Sequence, residues 1–155
     1  MRKIAVVGAG KIGSAIVDML RTSGAYQVAV IDQGEARLAA LKVGEGVERI
    51  CVDVRDPVAL AARLDGVFAV ISAAPYQLTV PIAQAVKAAG AHYLDLTEDV
   101  AATRQVRALA QGATSAFIPQ CGLAPGFISI VAMDLVRRFD EVHEARLRVG
   151  ALPRY

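Results

Sequence analysis

Three glycines and one aspartate have the types and spacing to hold a phosphorylated ligand. Gly8, Gly10 and Gly13 stand as G-x-G-x-x-G, with Ala9, Lys11 and Ile12 completing the loop. Asp32 follows 19 residues after Gly13. The glycine string alone is weak, because glycine clusters arise by chance in turns. Its setting gives it force: it follows the apolar run Ile4–Val7, opens a helical pattern, and is answered by an acid at the end of the next apolar run. Gly8 permits a tight turn, Gly10 lets backbone approach a pyrophosphate, and Gly13 lets a helix pack closely on a strand. Exposed amides at the helix start attract the negative charge. Asp32 is suited to accept hydrogen bonds from the adenosine ribose. A carboxylate there repels a 2′-phosphate, and Gln33 follows rather than an arginine, so NAD is expected over NADP. Arg37 leaves NADP open.

Further residues belong to the same expected edge. Asp53 and Val54 end the third apolar run; they line an adenine pocket, or Asp53 is a turn residue. Ser72, Ala73 and Ala74 end the fourth run beside the crossing point, where small side chains leave room for ribose and nicotinamide. The plainer reading is a strand-to-helix loop. No residue stands out as a catalytic proton donor. The chemistry of hydride transfer belongs chiefly to the cofactor.

These residues need a scaffold, and the pattern supplies one. Apolar runs at 4–7, 28–31, 50–52, 67–71, 93–96 and 116–118 alternate with helical stretches. Ile12, Ala15, Ile16, Met19 and Leu20 mark the inward face of the first helix. Leu38 and Leu41 point inward from a helix over 35–42. Asp56-Pro57 reads as N-cap and first residue of a helix reaching Leu64. Helices are also expected over 79–89, stopped by Gly90, from Thr97 to near Gly112, and over 128–139. Such alternation implies an α/β fold: a doubly wound parallel sheet in three layers, the Rossmann type. Residues 1–140 form this NAD(P)-binding domain. From Val142 to Val149 apolar and charged residues alternate instead, as in a strand with one wet face. We assign 141–155 to the start of a second, truncated domain; its trailing strand is an open edge, expected either to pair with another copy in a homodimer or to be a disordered tail.

Composition closes other routes. The 155 residues carry a net charge of +2 and no basic run, which argues against a nucleic-acid partner. No apolar run approaches the roughly 18 residues of a membrane span. Cys51 and Cys121 read as reduced, buried thiols in a cytoplasmic protein, and His92 and His143 lack neighbours at ligand spacing, so no metal is expected. None of Tyr26, Tyr76, Tyr93 and Tyr155 has a lysine four residues later, which disfavours a short-chain dehydrogenase. A free-standing NAD-sensing regulatory module stays open as the alternative.

His92-Tyr93-Leu94-Asp95-Leu96-Thr97-Glu98 and Pro119-Gln120-Cys121-Gly122-Leu123-Ala124-Pro125-Gly126, joined to the glycine loop, resemble the saccharopine dehydrogenase family. The likeness is nearest its lysine 6-dehydrogenase-like branch and covers almost the whole chain. It implies an NAD(P)-dependent oxidoreductase acting at a C–N bond of an amino-acid-like small-molecule substrate, with a second domain for substrate and dimerisation. It also implies that residues 121–126 lie near the nicotinamide, and that Asp95, Thr97 and Glu98 face the same crevice. Blander roles stay open: Thr97 as helix N-cap, Glu98 complementing the helix dipole, Cys121 as a small apolar filler.

Overall fold

A computed structural model describes residues 1–42, 44 and 46–150. Six parallel strands form one sheet in the order β3-β2-β1-β4-β5-β6. They are β1 (Arg2–Val7), β2 (Tyr26–Asp32), β3 (Val47–Cys51), β4 (Val67–Ser72), β5 (His92–Asp95) and β6 (Phe117–Ile118). Between them run α1 (Lys11–Thr22), α2 (Glu35–Ala40), α3 (Pro57–Ala61), α4 (Thr79–Ala89) and α5 (Val100–Ala110), and α6 (Phe127–Val136) follows. The order reverses between β1 and β4, so the chain leaves these neighbours in opposite directions and a crevice opens beyond their C-terminal ends.

The central strands are buried on both faces, which explains their unbroken apolar runs. Val6, Val28 and Val30 pack with Val17 of α1 and Leu38 of α2. Ala5, Val7, Ala29 and Ile31 point the other way, toward Leu60 of α3, Ile82 and Val86 of α4 and Val106 of α5. This is the expected three-layer arrangement.

Local signals set most boundaries. The Asp56 carboxylate accepts the Val58 and Ala59 amides, with Pro57 as the first residue of α3. That helix ends at Ala61, short of the expected Leu64, and α2 ends at Ala40 rather than Lys42. Gly90 takes a left-handed conformation at the end of α4. The cap of α5 is Asp99, whose carboxylate accepts the Ala102 amide; Thr97 instead accepts the Asp99 amide through its hydroxyl. A carboxylate in capping register displaces the weaker hydroxyl.

Three expectations are corrected. The buried line of α1 is Gly13 and Val17 flanked by Ile16 and Leu20, while Ile12 and Met19 are 59% and 73% exposed. Contact at Gly13 rotates the helix onto that line. Residues 142–149 form no strand: they are exposed and join no ladder among the described residues. Strand conformation needs a hydrogen-bonded neighbour, and this segment has none. The segment packs loosely over α6, where Ile128, Val131 and Leu135 line a cavity with Val142 and Leu147; no residue of α6 is fully buried. Cys51 and Cys121 are free, as expected, but exposed: Cys51 ends an edge strand and Cys121 lies in the loop after β6. The expected second-domain residues 151–155 lie outside the described residues.

Candidate functional site

The glycine loop joins β1 to α1 in three steps. The Gly8 amide donates to the Ile31 carbonyl of β2 at 2.8 Å, extending the parallel ladder beyond the last strand residue. Gly8 then takes φ +106°, a left-handed conformation that L side chains rarely adopt. A Cβ on Gly13 would collide with the Gly8 carbonyl, so helix and loop touch through bare backbone. Gly10 differs from both: a Cβ there would meet nothing within 4 Å. Its surroundings are open on the side toward which the helix start points.

That helix start lacks a partner for negative charge. No side chain caps α1 at Gly10, and no acid occupies the first turn. The first loop-to-helix bond runs from Ser14 N–H to the Gly10 carbonyl at 2.8 Å, leaving earlier amides for a ligand. A cleft of about 480 Å³ opens beside the loop, lined by Gly8, Gly10, Asp32, Gln33, Arg37, Val54, Ala73, Ala74, Pro75 and Leu78 among others. Its size and mixed lining suit a cofactor. The open space at Gly10, next to uncapped amides, fits a pyrophosphate.

Asp32 ends β2 at the cleft wall and is only 6% exposed. Its Oδ2 accepts the Ala9 amide and its Oδ1 the Gly34 amide, each at 2.8 Å. Arg37 Nη1 stands 3.7 Å from Oδ1 on a largely exposed side chain.

The structure brings Gly8, Gly10, Asp32, Val54, Ala73 and Ala74 to one cleft. Ala9 is buried beneath the loop, and Gly13 is the contact between helix and turn. Lys11 and Ile12 are exposed at the start of α1 and do not line the cleft. Ser72 is buried at the end of β4, in register with Val7 and Asp95, one residue short of the lining. Of the two readings of Asp53, the structure favours the turn. Its carboxylate pairs with Arg55 at 2.7 Å and accepts the Arg55 amide. The Arg55 side chain and amide together hold that carboxyl down at about 2. Asp53 is absent from the cleft lining while its neighbour Val54 is present. Leu78 escaped sequence reasoning, because a single 3-10 turn over Tyr76–Leu78 carries it into the cleft without a periodic signal, whereas Pro75 closes the Ser72-Ala73-Ala74 segment already expected at the crossing point.

On the other side of the crossing point Asp95 does not face a crevice. It is 1% exposed at the end of β5. Oδ1 accepts the Thr97 and Gln120 amides at 3.0 Å, and the backbone carbonyl accepts the Cys121 amide at 2.7 Å. Gln120 sits at φ +65°, the single non-glycine in that region among the described residues. Asp95 thus ties the loop after β6 to β5. Burial, and then the Asp95 carboxylate, push the nearby Tyr93 hydroxyl and Cys121 thiol upward from their usual values, so both are held as neutral groups.

The parallel sheet, its reversal beside a glycine loop, and an acid ending the second strand define a dinucleotide-binding α/β domain. Residues 4–118 match the saccharopine dehydrogenase NADP binding domain, and the chain belongs to that family. Saccharopine dehydrogenase (L-Glu forming) from Saccharomyces cerevisiae shares the fold at a TM-score of 0.77 and 23% identity, over 89% of this chain and 32% of its own. The chain therefore spans about a third of that protein. GenD2 from gentamicin A biosynthesis, solved in complex with NAD, matches at a TM-score of 0.66 and 25% identity, over 86% of this chain and 38% of its own. The NAD(P)-binding domain of an exopolyphosphatase-related protein from Archaeoglobus fulgidus matches at 0.63 and 17% identity, over 90% of this chain and the whole of its own.

Proposed function

We propose that the chain is the cofactor-binding part of an oxidoreductase that moves a hydride at a C–N bond of an amino-acid-like substrate, with NAD preferred to NADP. Family membership supports the reaction class over a free-standing regulatory module. The cofactor preference is supported by one observation: the buried Asp32 carboxylate lines the same cleft as Gly10, at the end of the second strand, which on this reading is where the adenosine ribose binds. A 2′-phosphate there meets negative charge. The nicotinamide supplies the hydride chemistry when bound. This chain's residues bind and orient: the amides after Gly10 hold the pyrophosphate, Asp32 the ribose, and Val54, Leu78 and Pro75 give apolar walls. Ser72, Ala73 and Ala74, with their small side chains, leave room for ribose and nicotinamide at the crossing point. Two free thiols suit a reducing, cytoplasmic setting. Residues 141–155 fit the opening of a substrate and dimerisation domain, given that the yeast relative is three times as long.

Calorimetric titration with NADH and then NADPH tests the preference. NADH is expected to bind at least tenfold tighter, about 1.4 kcal/mol. Arg37→Ala should weaken NADPH further and leave NADH within about twofold, because the guanidinium lines the cleft 3.7 Å from the Asp32 carboxylate, where a 2′-phosphate would find a cation. Tighter NADPH binding by the unmodified chain would reverse the assignment.

A further inference from the structure

Asp32 does more than its position at the ribose requires. A carboxylate that serves only as a ribose acceptor keeps its oxygens free for the ligand. Here both oxygens are engaged within the protein, and the side chain is almost wholly buried. The bond from the Ala9 amide to Oδ2 crosses 23 residues of sequence. Gly8, one residue earlier, is tied to the main chain of β2 through Ile31. Consecutive amides of the loop are thus fixed to the end of the same strand, one by its backbone and one by its last side chain. Gly10, the open point of the cradle, follows directly. Gly13 presses on the Gly8 carbonyl from above, so the turn is held at both ends.

We infer that Asp32 is a positioning residue for the pyrophosphate cradle: its carboxylate, bonded to the Ala9 amide, holds the glycine loop in its receiving shape before any nucleotide arrives. The role is additional to the ribose contact and rests on the dinucleotide reading above. The Ala9 amide is taken up by the Asp32 carboxylate, so the bond uses none of the amides after Gly10 that are left for the pyrophosphate. One consequence is specific. Removing the carboxylate does more than relieve the repulsion of a 2′-phosphate; it weakens every dinucleotide that uses the loop.

The test separates ribose recognition from loop positioning. The unmodified chain and Asp32→Ala are titrated with NADH and with an NADH analogue whose adenosine ribose lacks both the 2′- and the 3′-hydroxyl. Positioning predicts that Asp32→Ala loses tenfold or more in affinity for the analogue as well as for NADH. Asp32→Asn, which keeps a carbonyl acceptor for Ala9, should recover most of the analogue binding. If Asp32→Ala binds the analogue as the unmodified chain does, the carboxylate is a ribose hook and the inference falls. Amide hydrogen exchange without ligand gives a second reading, independent of the proposed function. The Ala9 amide should exchange at least tenfold faster in Asp32→Ala than in the unmodified chain or in Asp32→Asn. Equal exchange in all three overturns the inference even if the chain binds dinucleotides. Failure of the unmodified chain to bind either ligand overturns the proposed function, and the exchange rates still decide the role of Asp32.

Discussion

Asp32 and Asp95 end strands on opposite sides of the crossing point and are built alike. Each is almost wholly buried, and each accepts amides from a loop distant in sequence. Their surroundings differ. Asp32 stands at the wall of an open cleft and has both oxygens engaged. Asp95 is sealed in, and its Oδ2 accepts no hydrogen bond from the described residues. The first holds a loop whose next residue, Gly10, lines the open cleft. The second holds a loop that leads into α6, a helix with no fully buried residue. On the proposed function the same device serves recognition at one end of the sheet and architecture at the other, and what lies beyond the loop decides which.

Stability measurements give the largest expected contrast. Asp95→Ala leaves the Thr97 and Gln120 amides without their buried acceptor, and bonds to a charged group are worth roughly 1.5–3 kcal/mol each. Denaturant unfolding should show a loss of about 3 kcal/mol. Affinity for ADP-ribose, which lacks the nicotinamide, should stay within about threefold. A collapse of ADP-ribose binding at unchanged stability would erase the distinction between the two ends.

Gly10→Ala probes the other side. Its backbone lies in an ordinary extended region and the new methyl meets no protein atom, so stability should change by less than about 0.5 kcal/mol. Dinucleotide affinity should fall tenfold or more, because the methyl occupies the approach to the pyrophosphate. Unchanged affinity would move the phosphate elsewhere.

The smallest effect belongs to Asp53, a third aspartate near a strand end. Its carboxyl is held at about 2 against an ordinary 3.8. A carboxyl depressed in the folded protein adds stability above its unfolded value, and that contribution disappears as pH falls through the folded one. Asp53→Asn should therefore flatten a slight loss of stability between pH 3.8 and about 2, and leave nucleotide affinity unchanged. A carboxyl resonance titrating near 4 would remove the Arg55 pairing from the account.

Much of the nucleotide half was legible because its signals are local. A glycine string between an apolar run and a helix, followed by an acid, has few physical solutions. The Asp56-Pro57 cap and the Gly90 stop were read from neighbouring residues in the same way. Asp53 shows the limit: in sequence it looks like Asp32, an acid closing an apolar run. Arg55, two residues on, captures it, whereas Asp32 is reached by an amide 23 residues away. The inward face of α1 failed for a related reason. Ile12 and Met19 complete a periodic apolar stripe, but backbone contact at Gly13 sets the rotation of the helix.

The sequence alone determined the layer order, the glycine cradle and the acid beside it, since strand period, turn chemistry and capping act over a few residues. Tertiary structure decided which carboxylate faces the cleft, which thiols and helix faces meet solvent, and that residues 142–149 form no strand. Each of these depends on a partner distant in the chain, or on the lack of one among the described residues, and no pattern of neighbours encodes that.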